Sequence, residues 1–208
     1  TSSGLKSWDG YDFQNFRSTA FSPGILPNNT VLSITEDNNK ILWLGTRNGL
    51  ARFDMKTRSF NTLFIEGDSY RTIYTLYTST DGTIWIGTDG GLTRYDEKTH
   101  KFDTYTEDNS IYLDSDGKKS ADPHISVKSI VDDGHGNLYI GTWSDGVLRF
   151  NPKNRTFQRY DQLNKINSAY SLHLDSKGRL WIGSWSEGLQ MIPHPEQGPR
   201  AEHLTIPI

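Results

Sequence analysis

Four stretches of this chain can be laid one above another. They open at Val31 (VLSITEDNNKILWLGTRNGLARFD), Ile73 (IYTLYTSTDGTIWIGTDGGLTRYD), Val127 (VKSIVDDGHGNLYIGTWSDGVLRFN) and Ala169 (AYSLHLDSKGRLWIGSWSEGLQMI). Their anchor aromatics, Trp43, Trp85, Tyr139 and Trp181, stand 42, 54 and 42 residues apart. A fixed period of this length restricts the chain to a repeat architecture, because a single sandwich has no reason to recur. The longer interval marks an insertion of about a dozen residues between Tyr105 and Val127.

Each unit reads as four short strands, a to d. Strand a is the apolar opening, as at Ile73 to Tyr77. A two-residue hairpin signal follows, TDGT in the second unit and GHGN in the third, where glycine supplies the positive φ of the turn. Strand b (Ile84, Trp85, Ile86) is apolar throughout, as expected of a strand covered on both faces. Strand c begins at a glycine: GLARFD at Gly49, GLTRYD at Gly91, GVLRFN at Gly146. Strand d carries Phe60, Phe102 or Phe157. Four strands per unit, repeated, predict an all-β propeller with antiparallel blades of about 42 residues. The blades fall at about 31–64, 73–106, 127–161 and 169–207, with an inserted loop at 107–126. AEHLTIPI supplies the last strand d. Gly4, Leu5, Trp8, Asp9, Phe13 and Phe16 match strands c and d alone, so residues 4–17 form half a blade. The ring is expected to be incomplete, with apolar blade faces open at both ends. Those faces would be covered by self-association or by the remaining blades of a parent protein.

Composition narrows the function. With 22 basic and 25 acidic residues, and a net charge of −3, the chain has no electrostatic footprint for nucleic acid. No apolar run approaches a membrane span, so no membrane contact is expected of this segment. There is no cysteine, hence no disulfide frame and no thiolate chemistry. The six histidines (His100, His124, His135, His173, His194, His203) show no zinc spacing, and DSDG at Asp114 lacks the later acidic ligand of a calcium loop. No metal and no cofactor is predicted.

GTIWIGTDGGLTRYDEKTHKFDTY, from Gly82 to Tyr105, closely resembles the two-component-regulator propeller repeat. GLKSWDGYDFQNFR followed by LPNNTVLSITED is similar to the first-blade transition of the same family. The resemblance implies an extracytoplasmic, periplasmic sensor region of a hybrid two-component regulator anchored in the inner membrane. It also implies an oligosaccharide ligand and a histidine kinase elsewhere in the parent. The chain itself holds no kinase motif and is expected to be non-catalytic.

In a propeller the b–c and d–a loops share one face. The b–c loops are GTRNG, GTDGG, GTWSDG and GSWSEG, and the d–a loops lie at about 18–30, 65–72, 106–126 and 161–168. That face is predicted to gather Arg47, Asp89, Trp143, Asp145, Trp185 and Glu187, together with Tyr112 from the insertion. Indoles offer a flat face to a sugar ring, and carboxylates take its hydroxyls. The alternative at the same residues is structural, with both indoles packed between blades and both acids closing turns. The Gly-x-Ser-x-Gly likeness around Ser144 and Ser186 fails as a hydrolase elbow, since each serine lies between strands and no histidine occupies an equivalent position. Two other classes stay open: a propeller enzyme (lyase or glycoside-active) working through paired carboxylates, and a protein-interaction platform.

Overall fold

The computed structural model describes residues 1–19, 25–106, 109–120, 125–160, 168–202 and 204–206. The first sheet pairs β1 (Leu5–Trp8) with β2 (Phe13–Phe16). The first full blade holds β3 (Val31–Glu36), β4 (Ile41–Thr46), β5 (Gly49–Asp54) and β6 (Ser59–Leu63). The second holds β7 (Thr75–Thr78), β8 (Ile84–Thr88), β9 (Gly91–Asp96) and β10 (Lys101–Tyr105). A short strand β11 (Ile111–Leu113) precedes the third, made of β12 (Val127–Asp132), β13 (Leu138–Thr142), β14 (Val147–Asn151) and β15 (Thr156–Arg159). The fourth holds β16 (Ala169–Leu174), β17 (Leu180–Ser184), β18 (Leu189–Ile192) and β19 (Leu204–Ile206). Within each of these four-strand sets neighbouring strands are antiparallel and in sequence order, the propeller pattern, and among the described residues the ring does not close.

The hydrophobic interior is a series of seams between sheets. One seam joins Phe16 and Leu5 of the half-blade to Leu44, Ala51 and Phe53 of the first blade. The next joins Trp43 and Leu50 to Ile73, Leu76 and Ile86. Trp85 and Leu92 meet Val127, Ile130 and Ile140, and Tyr139 and Val147 meet Ala169, Leu172 and Ile182. Strand b needs glycine to let the next blade this close. A Cβ on Gly87 would stand 2.5 Å from Cγ1 of Val127, whereas one on Gly183, in the last blade, would meet nothing nearer than 3.6 Å.

Hairpin chemistry repeats with the blades. The c–d turns are closed by Asp9, Asp54, Asp96 and Asn151, each accepting from the backbone N–H groups two and three residues on. Asp9 performs this closure in the half-blade, which identifies β1 and β2 as strands c and d. At the a–b hairpin, Asp37 accepts from Trp43 Nε1 at 2.8 Å and Asp175 from Trp181 Nε1 at 2.9 Å. In the second blade Ser79 takes that place, accepting from Trp85 Nε1 at 2.7 Å.

The insertion departs from the sequence expectation of a loop at 107–126. Residues Ile111–Leu113 pair parallel with β15 and extend the third blade to five strands at its outer edge. The outermost strand of a blade presents an unpaired backbone edge, and the apolar Ile-Tyr-Leu run covers it. Asp114 closes the following turn by accepting from the Lys118 N–H at 2.8 Å.

Candidate functional site

The four b–c turns are built alike. Thr46, Thr88, Thr142 and Ser184 each donate their hydroxyl to the carbonyl of the glycine that opens strand c: Gly49, Gly91, Gly146 and Gly188. The same hydroxyls accept from the backbone N–H of Asn48, Gly90, Asp145 and Glu187. Gly91, at φ 121°, occupies a conformation that side chains resist. In the turns with the extra residue, the acids therefore serve the fold through their main chain. The residue after each hydroxyl, Arg47, Asp89, Trp143 or Trp185, is left to project from the face.

Strand a supplies the second layer. The residue after Val31, which is half-buried, and after the buried Ile73, Val127 and Ala169 is Leu32, Tyr74, Lys128 or Tyr170. Three of these meet the turn residues in a cleft of about 420 Å³ lined by Tyr74, Asp89, Ser126, Lys128, Trp143, Tyr170 and Trp185. Asp89 is its polar centre. Its carboxylate accepts from the Ser126 hydroxyl at 2.6 Å, the Tyr74 hydroxyl at 2.7 Å and the Lys128 ammonium at 3.1 Å. Burial works against the Asp89 anion, yet these three donors outweigh it and hold the carboxyl below its ordinary range. Burial likewise lowers Lys128, although Asp89 opposes the shift. Burial and the neighbouring Asp89 push the Tyr74 phenol up to about 12, so at neutral pH it stays a donor.

The aromatic wall stands beside this network. Trp143 and Trp185 have ring centroids 5.9 Å apart, and Tyr170 lies 6.3 Å from the first and 5.6 Å from the second. Interplanar angles of 52° to 74° make a tilted cluster, and all three rings are exposed. The indoles are therefore not packed between blades.

Of the residues singled out in the sequence, Asp89, Trp143 and Trp185 converge in the cleft. Arg47 lies outside the lining; it is exposed, and its carbonyl accepts from Thr72 Oγ1 at 3.2 Å. Asp145 lies outside the lining, near the Ser144 hydroxyl at 3.1 Å and Arg159 at 4.0 Å. Glu187 is also outside it, and a hydrogen bond from the Ser186 hydroxyl holds its carboxyl below the usual range. Tyr112 is elsewhere altogether: it is buried in β11 and stacked on Phe157 at 4.8 Å and 5°. Residues 161–167, His124 and His203 lie outside the described residues. Tyr74, Ser126, Lys128 and Tyr170 were not among the candidates. The signal for three of them was a position in strand a that varies in chemistry between units whose neighbours do not. Among the described residues no three His, Asp or Glu side chains group as a metal site, and no helix is long and apolar enough to cross a membrane.

Among curated proteins none matches the chain. Among solved structures, the extracellular domain assigned to a one-component system of B. thetaiotaomicron is 24% identical with a TM-score of 0.72, over 91% of this chain and 25% of that one. The extracellular domain assigned to a hybrid two-component system of the same organism is 22% identical with a TM-score of 0.66, over 86% of this chain and 25% of that one. The chain thus spans a quarter of the length of these two structures. Virginiamycin B lyase from Staphylococcus aureus is 16% identical with a TM-score of 0.65, over 86% of this chain and 56% of that one. At these identities the likeness is one of fold. The family described as two component regulator propeller matches residues 25–48, 67–90 and 165–186, which span the a–b strands and b–c turns of three of the four blades. In these three segments the chain is similar to the two component regulator propeller repeat.

Proposed function

We propose that this chain is the ligand-recognition part of an extracytoplasmic sensor, and that its ligand is a saccharide bound at the cleft between Asp89 and the Trp143–Tyr170–Trp185 wall. The observation that carries this reading is the pairing of exposed, mutually supported aromatic rings with a hydrogen-bonded carboxylate in one depression of a rigid sheet scaffold. Sugar rings present an apolar C–H face to indoles and hydroxyls to a carboxylate, and the cleft offers both within one span. The repeat family and the extracellular sensor domains that share the fold support the sensor role. In the parent protein, set in the periplasm and joined through the membrane to a histidine kinase, binding would bias the arrangement of the propeller against its neighbours.

The lyase reading draws on the shared propeller fold. The cleft favours binding instead, because Asp89 is already engaged by three donors and Tyr74 retains its proton, so neither is poised as a base at neutral pH. Intrinsic fluorescence tests the proposal. Titrating oligosaccharides should quench or shift the emission of Trp143 and Trp185, and Trp185→Ala should weaken binding at least about tenfold. An oligosaccharide panel that leaves the emission unchanged would sink the reading.

A further inference from the structure

The polar centre of the cleft directs its hydrogens inward. Ser126 and Lys128 both donate to Oδ1 of Asp89, at 2.6 Å and 3.1 Å, which fills the two lone pairs of that oxygen. Oδ2 accepts from the Tyr74 hydroxyl at 2.7 Å and keeps its second lone pair. The Tyr74 hydroxyl has its one hydrogen engaged there, so toward anything else its oxygen can only accept. Among the described residues no further group donates to Asp89 Oδ2 or to Tyr74 Oη. Both side chains line the cleft, Tyr74 half-buried and Asp89 44% exposed. The Lys128 ammonium lies 3.1 Å from the centre of the Tyr74 ring and holds the phenol in place, while the Lys128 side chain itself is only 7% exposed.

From this arrangement, and resting on the reading of the cleft as a saccharide site, we infer that the cleft recognises two free hydroxyls on neighbouring sugar carbons, one donating to Asp89 Oδ2 and the other to Tyr74 Oη. The two acceptors stand 2.7 Å apart, close to the spacing of the oxygens in a vicinal diol. An open carboxylate takes such a diol on both of its oxygens. Asp89 does not, because Oδ1 is filled, so Tyr74 supplies the second acceptor and determines specificity. A group that only accepts, such as an ether or ester oxygen, sets lone pair against lone pair at these positions. An ammonium there meets the charge of Lys128, which already balances the carboxylate. The ligand edge that fits is a neutral, unsubstituted pair of hydroxyls, with the C–H face of the ring toward the aromatic wall.

Deoxyfluoro sugars test this atom by atom, since fluorine replaces a hydroxyl at similar size and cannot donate. Cellotriose, mannotriose and galactotriose are titrated into the intact chain by calorimetry, and the tightest binder is compared with its monofluorinated analogues. Two analogues, fluorinated at adjacent carbons of one ring, should each lose about tenfold or more in affinity, and the others less than about threefold. In Tyr74→Phe, which keeps the ring against Lys128, one of those two losses should shrink to within about twofold while the other persists, with near-ultraviolet dichroism unchanged. Losses at carbons that are not adjacent, losses at fewer than two positions, or a pair of losses that Tyr74→Phe leaves intact overturns the inference while the saccharide reading stands. No binding by any of the three trisaccharides overturns the inference as well. The saccharide reading is judged separately, by whether oligosaccharides perturb the emission of wild type and lose affinity in Trp185→Ala.

Discussion

The ammonium of Lys128 rests 3.1 Å from the centre of the Tyr74 ring. It joins the second and third blades through one cation, because the same ammonium meets Asp89 at 3.1 Å. The two ions are not equally buried: Lys128 is 7% exposed and Asp89 44%. Asp89→Asn strands the buried charge and should cost about 2–4 kcal/mol, whereas Lys128→Met leaves a carboxylate in contact with water and should cost about 1 kcal/mol. Urea unfolding of both variants checks the order, and the reverse order would show that Lys128 is hydrated.

Ile34, Leu76, Ile130 and Leu172 occupy one position in the four repeats. The last three are 8%, 3% and 7% exposed against the preceding blade, while Ile34 is 52% exposed because the half-blade before it lacks strands a and b. Ile130→Ala should cost about 2–4 kcal/mol and Ile34→Ala less than about 1 kcal/mol. Denaturant midpoints of the two variants measure this directly. Equal losses would mean that the face at Ile34 is covered in solution.

Asp37 gathers the N–H groups of Asn39, Ile41 and the Trp43 indole. Ser79 receives the Trp85 indole. Asp37→Ala orphans three donors and should cost about 2–4 kcal/mol, against about 1 kcal/mol for Ser79→Ala. Thermal unfolding of the pair tests whether the hairpin carboxylate contributes beyond its indole partner.

Tyr74 and Tyr139 ionise only near about 12, both raised mainly by burial, and burial also raises Tyr77, Tyr95, Tyr105 and Tyr160. Their folded values exceed the unfolded value of about 10. The stability tied to these neutral phenols is therefore complete below pH ~10 and is lost as pH climbs toward the folded values. Phenolate absorbance should show a late-titrating group whose ionisation coincides with loss of near-ultraviolet dichroism. A single transition near pH ~10 with the fold intact would contradict the burial.

The blades were legible because their signals are local and recur: a glycine opening strand c, an aromatic in strand b, an Asp or Asn at the c–d turn. Asp89, Trp143 and Trp185 were legible for the same reason, as the variable residue of a fixed turn. Tyr112 was not. Its place depends on pairing with β15, more than forty residues on, and a three-residue apolar run carries no mark of the edge it will cover. Tyr74, Lys128 and Tyr170 went unnoticed because strand a was read for its apolar residues, while the cleft uses the ones between them. Charge pairing between Asp89 and Lys128 required the curvature that brings one turn over the next blade.

The turns at Thr46, Thr88, Thr142 and Ser184 have one further consequence. Each is fastened by a hydroxyl and a glycine carbonyl, independently of the side chain that follows. Arg47, Trp143 and Trp185 can therefore be exchanged without reworking the sheets beneath them, whereas Asp89 is tied to Lys128 of the next blade. A gene that duplicates such a unit inherits a stable frame and a vacant letter, so new ligand preferences are within reach of single codon changes.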